Sequence, residues 1–242
     1  SVEPRGAIGE FDPVSSRYTL HVSAQSLHMA RDRVAETLGI DRSKVRLIAP
    51  DVGGGFGVKN FMYAEQVLLS WAARVAGRPV KWINARSDGF VSDHQARDND
   101  AHAELALDAD GNFTALRVKS WGNLGAYLTG SMARIFTEQF VKLPGGPYRI
   151  PAIHVDVGAV YTNTVPIGVT RGPGFAEFAN IMERLVDRAA RETGQEPAAL
   201  RARNLVSVEA MPFTNAVGAT MDSGVFPTNL ATAVKKAEAG YD

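Results

Sequence analysis

The 242-residue chain contains no cysteine. Disulfides, thiolate-bound zinc, iron–sulfur ligation and cysteine nucleophiles are therefore excluded within it. It also lacks net charge, since 26 Lys and Arg offset 26 Asp and Glu. With no basic stripe either, neither nucleic acid nor an anionic membrane surface is an expected partner. No apolar run reaches the ~20 residues of a membrane span. The opening Ser1-Val2-Glu3-Pro4-Arg5 has no signal-peptide pattern and reads as mid-domain sequence of a longer protein. His21, His28, His94, His102 and His154 show neither HExxH nor another metal-ligand spacing. Asp98, Asp100, Asp108 and Asp110 lack the rest of a twelve-residue calcium loop, so a solvated turn is the better reading.

What is present is an ordinary globular composition, 45% apolar and 21% charged. Alternation predicts strands at 17–23, 44–49, 80–84 and 153–162. A hairpin is expected from 101–107 and 113–121 across the Asp108–Asn112 turn. Helical periodicity predicts 26–39, closed by Gly39, and 60–76, with Asn60 as cap. The second of these is expected to bury Phe61, Ala64, Leu68, Trp71, Ala72 and Val75. Further helices are predicted at 175–193, 197–204 and 229–239, and 122–147 reads as irregular. Strands and helices alternate without a strict βαβ rhythm. The expected class is α+β, with helices packed on mixed sheet layers.

Two glycine-bearing loops stand out. Gly53-Gly54-Gly55-Phe56-Gly57 joins a predicted strand to a predicted helix. Such a loop permits positive φ, and helix-start amides favour an anion such as a phosphate, a carboxylate or a metal-bound oxo group. It is not a Walker loop, because Gly-Phe-Gly-Val-Lys-Asn has the wrong spacing and no Ser or Thr after the lysine. It is not a dinucleotide fingerprint, because no GxGxxG register fits. A tight turn with no ligand competes about evenly on spacing alone. The second loop, Thr170-Arg171-Gly172-Pro173-Gly174, could present a guanidinium to an oxyanion. For a lone arginine, a solvated surface position is the plainer alternative.

The ordered set of Glu3-Pro4-Arg5-Gly6-Ala7, Ser23-Ala24-Gln25-Ser26, the GGGFG loop and Gly77-Arg78-Pro79-Val80-Lys81 resembles the large subunit of the xanthine dehydrogenase, aldehyde oxidase and carbon monoxide dehydrogenase family. Thr162-Asn163, Arg171-Gly172, Arg201-Ala202-Arg203-Asn204-Leu205 and Asp222-Ser223-Gly224 continue that resemblance along the chain. It implies the molybdopterin-binding domain fold of those enzymes, with residues 1–242 as one fragment of it. It implies a molybdenum–pterin cofactor, in the cytosine dinucleotide form, with FAD and [2Fe-2S] on partner subunits or domains. Gln25 is similar to a glutamine that hydrogen-bonds an oxygen near the metal. Gly55, Phe56 and Gly57 match a loop whose backbone approaches the oxo group, and Arg171 and Gly172 match a cofactor loop. Asn60, Arg134, Pro173 and Phe175 fall at substrate-pocket positions. None of these is a direct metal ligand.

The implied reaction is hydroxylation of an aldehyde or an N-heterocycle with oxygen from water. The absence of cysteine speaks against copper–molybdenum chemistry on carbon monoxide. Asn60, where xanthine enzymes carry a glutamate, speaks against xanthine. The family's general-base glutamate and a further cofactor segment are not recognisable here. No catalytic residue is assigned in this chain, and the fragment alone is expected to be inactive. The rest of the large subunit and the flavin and iron–sulfur subunits are the expected partners. The expected location is the cytoplasm, with the periplasm also open. The alternative is a binding or structural module that kept the fold without catalysis.

Overall fold

The structure, a computed structural model, describes residues 1–129, 137–138 and 140–240. The chain divides into two compact units. The first gathers Ser1–Ala96, the segment from Gly125, and Asn163–Arg171. The second gathers Arg97–Leu124, the segment ending at Thr162, and the chain from Gly172.

The first unit is a four-stranded sheet in the order β3-β2-β1-β4. β1 (Gly6–Asp12) and β2 (Arg17–Val22) form an antiparallel hairpin. The Asp12 carboxylate closes its turn by accepting from the Val14 and Ser15 amides at 3.0 and 3.3 Å. β2 then crosses through α1 (Leu27–Leu38) to the parallel β3 (Val45–Ile48). Alternation places Tyr18, Leu20 and Val22 on one face of β2, and all three are buried. That face meets α1 and α2 (Ala64–Ala76). Each fully buried Leu or Val there contributes about 1.5–3 kcal/mol relative to exposure. β4 (Val80–Ile83) pairs antiparallel with β1, and α3 (Arg86–Ser92) follows.

The second unit is a sheet in the order β5-β6-β7, from β5 (Asn99–Leu107), β6 (Phe113–Gly125) and β7 (Ala152–Tyr161). Its core joins Leu116 and Val118 of β6 to Phe178, Met182 and Val186 of α5 (Phe175–Thr193). α4 (Phe140–Lys142) adds Phe140, and α6 (Pro197–Asn204) adds Leu200. Buried Asn204 accepts from the Phe113 amide at 2.7 Å and donates to Gly111 O at 3.0 Å, locking α6 onto the hairpin turn. A short hairpin of β8 (Phe213–Thr214) and β9 (Thr220–Met221) precedes α7 (Phe226–Glu238).

The α+β class holds, as do the α1, β2, β3, β5, β7, α5 and α6 segments to within two residues. The second predicted helix is corrected in two respects. It begins at Ala64, and Asn60 ends a single 3₁₀ turn (Val58–Asn60). Its buried face is Gln66, Leu69, Ser70 and Ala73, whereas Leu68, Trp71 and Val75 are more than half exposed. The period was right and the phase was wrong, because polar Gln66 and Ser70 face inward. Ser70 Oγ finds its own partner by donating to Gln66 O at 3.0 Å. β1 was not anticipated, because Gly6 and Gly9 dilute its strand propensity. Part of the stretch read as irregular is strand, since β6 runs on to Gly125.

Candidate functional site

In the first unit the end of β2 brings Gln25 against the GGGFG loop. The Gln25 amide donates to Lys59 O at 3.0 Å, and its side-chain Oε1 accepts from the Gly57 amide at 2.8 Å. A Cβ on Gly55 would lie 2.3 Å from Gln25 Cδ, so only glycine lets the glutamine sit there. Gly57 has φ +101°, and a Cβ on it would lie 2.4 Å from Val169 O. Gly55 and Gly57 therefore let two other segments approach the loop backbone.

Phe56 adopts φ +55° and is 45% exposed, a left-handed backbone carrying a solvent-facing ring. Its carbonyl accepts from the Arg171 amide at 2.8 Å, and the Arg171 guanidinium lies 4.4 Å from its ring centroid. The second glycine-bearing loop is thus tied to the first at Arg171. Gly172, Pro173 and Phe175 belong to the second unit. There Phe175 borders a cleft of about 280 Å³ lined by Leu143, Pro147, Phe178, Met182 and Met221. Asn60 Oδ1 accepts from the Ser26 hydroxyl, a local tie that neither caps α2 nor reaches outward. Arg134 lies outside the described residues.

The loop has an anchor that sequence reasoning missed. Lys59 is 3% exposed, with Nζ 2.5 Å from Glu3 Oε2 and 2.8 Å from Ser23 Oγ. Glu3 also accepts from the Ser23 hydroxyl at 2.5 Å and from the Gly53 amide at 2.8 Å. The Lys59 and Ser23 hydrogen bonds pull the Glu3 carboxyl down to about 2. Both ends of the loop are therefore pinned by one ion pair. The only sequence signal was a lysine two residues past a glycine run, which does not announce burial.

A second network lies at the base of this unit. Arg5, 7% exposed, meets Glu65 at 2.8 Å and Asp93 at 2.9 Å, and stacks 3.8 Å from the Tyr63 ring. His94 stacks on Tyr63 at 4.6 Å. Burial, with Arg5 adding to it, pushes the imidazole down to about 4, so it is neutral.

Chemically, the loop offers donors and little negative charge. Gln25 Nε2 has no acceptor among the described residues, nor do the amides of Gly54, Gly55 and Phe56. Glu3 is neutralised by Lys59. The expected helix-start contribution is absent, because a three-residue 3₁₀ turn follows the loop and α2 starts only at Ala64. The Gly57 amide is engaged by Gln25, so the donors without an acceptor among the described residues are Gln25 Nε2 and the three amides before Gly57.

The chain belongs to the molybdopterin cofactor-binding domain family, whose model matches residues 1–205. It is 36% identical over 231 residues to the carbon monoxide dehydrogenase large chain of Hydrogenophaga pseudoflava, covering 95% of this chain and 29% of that protein. It is 35% identical to the 6-hydroxypseudooxynicotine dehydrogenase complex subunit gamma of Paenarthrobacter nicotinovorans, covering 88% of this chain and 27% of that protein. Among solved structures, quinoline 2-oxidoreductase from Pseudomonas putida 86 matches with a TM-score of 0.88 and 34% identity, over 98% of this chain and 32% of that one. The chain thus spans less than a third of the length of these relatives.

Proposed function

We propose that this chain forms one wall of the molybdenum–pterin site of a molybdenum hydroxylase large subunit. The observation that carries this reading is the Gln25–Gly57 hydrogen bond, which engages the glutamine's Oε1 and leaves its Nε2 donor without a partner among the described residues. Neutral donors suit an anionic oxo group, because they stabilise its charge without competing as ligands. On this reading Gln25, Gly55 and Phe56 hold the cofactor's oxygen-bearing end. Gly57 acts by orienting Gln25, and Arg171 and Gly172 flank the cofactor. When bound, the cofactor supplies the two-electron oxidation and activates the oxygen that comes from water.

The substrate proposed is an aldehyde or an N-heterocycle, in keeping with relatives named for nicotine and quinoline. Pro173 and Phe175 are proposed to contribute an apolar wall to its pocket, and Asn60 acts through Ser26. Carbon monoxide is not carried over from the relatives named for it, since the copper-bearing cysteine has no counterpart in a chain without cysteine. The cytosine dinucleotide form of the pterin is part of the proposal. So are flavin and iron–sulfur partner subunits, in keeping with relatives named as subunits of complexes. Among the described residues no helix is long and apolar enough to cross a membrane. We assign no general base among the described residues.

The test is molybdenum and pterin content of the full-length complex, with Gln25→Ala beside wild type. Stoichiometric metal in wild type and a clear loss in the variant are expected. A folded complex that carries neither molybdenum nor pterin would sink the reading.

A further inference from the structure

Phe56 occupies a backbone conformation that favours glycine. Its φ is +55°, and among the described residues only Ser16 and Arg97 share a positive φ without being glycine. Close by in the same loop, Gly54 and Gly57 reach φ +98° and +101° with no side chain to obstruct them. A bulky residue at 56 carries a steric cost that glycine would avoid. The backbone's own work at this position needs no side chain. The Phe56 carbonyl accepts from the Arg171 amide at 2.8 Å, a bond that any residue could supply. The turn closed by the Val58 amide on Gly55 O, at 3.1 Å, makes no use of the ring either.

The ring has contacts of its own. It lies back over Gly54, where a Cβ would come within 2.8 Å of Phe56 Cε2. It carries the Arg171 guanidinium 4.4 Å from its centroid. At 45% exposure it is not a core residue, so burial does not account for a phenylalanine at a glycine-like position. Arg171 does account for it. An arginine side chain keeps several rotatable bonds, and the amide bond to Phe56 O fixes only its backbone. A π face beneath the guanidinium holds the far end as well, through the attraction of cation to ring. Glycine at 54 leaves room for that ring, and the left-handed turn at 56 aims it.

We propose that the Phe56 side chain is a positioning residue for Arg171. It holds the guanidinium in one place, where the planar fork donates to an anionic oxygen of the bound cofactor. This role is separate from that of the Phe56 amide, because the ring acts only through Arg171. The inference rests on the proposed placement of Arg171 beside the molybdenum–pterin group.

The full-length complex tests it, as wild type and with Phe56→Gly, Phe56→Tyr, Arg171→Met and the Phe56→Gly/Arg171→Met pair. Phe56→Gly keeps the left-handed turn and removes the ring, so its melt is expected near wild type. Molybdenum is expected to leave it at least about threefold faster on warming, the size of a partly exposed cation–π contact. Phe56→Tyr keeps the π face and should release metal as wild type does. In the Arg171→Met background, Phe56→Gly should add less than about 1.5-fold, because effects routed through one residue are not independent. Crystal structures of wild type and Phe56→Gly give a readout that needs no metal. Arg171 is expected in one conformer over the ring, and in several conformers without it. Wild-type release from Phe56→Gly, full multiplication of the two single effects, or an unmoved Arg171 in the glycine variant would each overturn the proposal. A wild-type complex without molybdenum would remove the cofactor reading, and the order of Arg171 would still decide this one. If Phe56→Gly does not assemble, Phe56→Asn takes its place, since asparagine also tolerates the left-handed backbone.

Discussion

Gln25 and Gly57, 32 positions apart, are joined by a 2.8 Å hydrogen bond in which the side chain accepts from the backbone. The bond fixes which end of the glutamine amide turns outward. Gln25→Glu keeps an acceptor for Gly57 and loses the Nε2 donor. In the full-length complex this variant is expected to melt near wild type and to lower kcat by about 10²-fold, the scale of one lost oxyanion donor. Gln25→Ala is expected to lower both. Steady-state kinetics with thermal melts check this, and wild-type turnover in Gln25→Glu would count against the assigned role.

The Glu3–Lys59 pair predicts an acid-sensitive loop. Glu3 is held down at about 2, below its ordinary 4.5. A depressed carboxyl stabilises the fold above its unfolded value, and that stability is lost as pH falls from about 4.5 to about 2. Glu3→Gln leaves a buried ammonium without its counter-charge. The expected cost is about 2 kcal/mol at neutral pH, less than for a fully buried pair because Glu3 keeps solvent contact. The variant should also lose the slope in that pH window. Denaturant titrations across it decide the point, and an unchanged slope would sink the idea.

His94 predicts a second and higher window. It is neutral in the fold, with its pKa lowered to about 4 from 6.5. The unfolded chain takes up the proton first, so stability is full above 6.5 and falls as pH drops toward 4. His94→Phe keeps a ring against Tyr63 and removes the titration. Its stability should be flatter than wild type between about pH 6.5 and 4. Urea unfolding at several pH values across that range reads the difference, and parallel curves would exclude the role.

The corrected phase of α2 yields a paired prediction. Leu69 is 6% exposed and Leu68 is 57% exposed. Leu69→Ala should cost about 2–4 kcal/mol through lost burial and an unfilled cavity. Leu68→Gln should stay within about 0.5 kcal/mol of wild type. Chemical denaturation of both variants is enough, and a larger loss at Leu68 would reverse the assigned face.

Much of the fold was legible because its signals are local. Alternation in β2 and in the β5–β6 hairpin, and the apolar stripe of α5, each lie within one element. α2 failed because apolar residues occupy both of its flanks, so the sheet beneath chooses the inward face. The Asp108–Asn112 segment was readable as a solvated turn. The Asp108 carboxylate accepts from the Asp110 and Asn112 amides at 3.0 and 2.8 Å, which a turn of that composition favours.

The residue types at the candidate site, and the family they resemble, were set by sequence alone: a glycine run with one aromatic, a glutamine, an arginine loop. Tertiary structure alone decided which groups remain available. It joined Gln25 to Gly57, buried Lys59 against Glu3, and carried the Arg171 amide to Phe56. The physical reason is that a hydrogen-bond donor counts at a site only when nothing inside the protein has claimed it. That depends on contacts between positions dozens of residues apart, which no local pattern encodes.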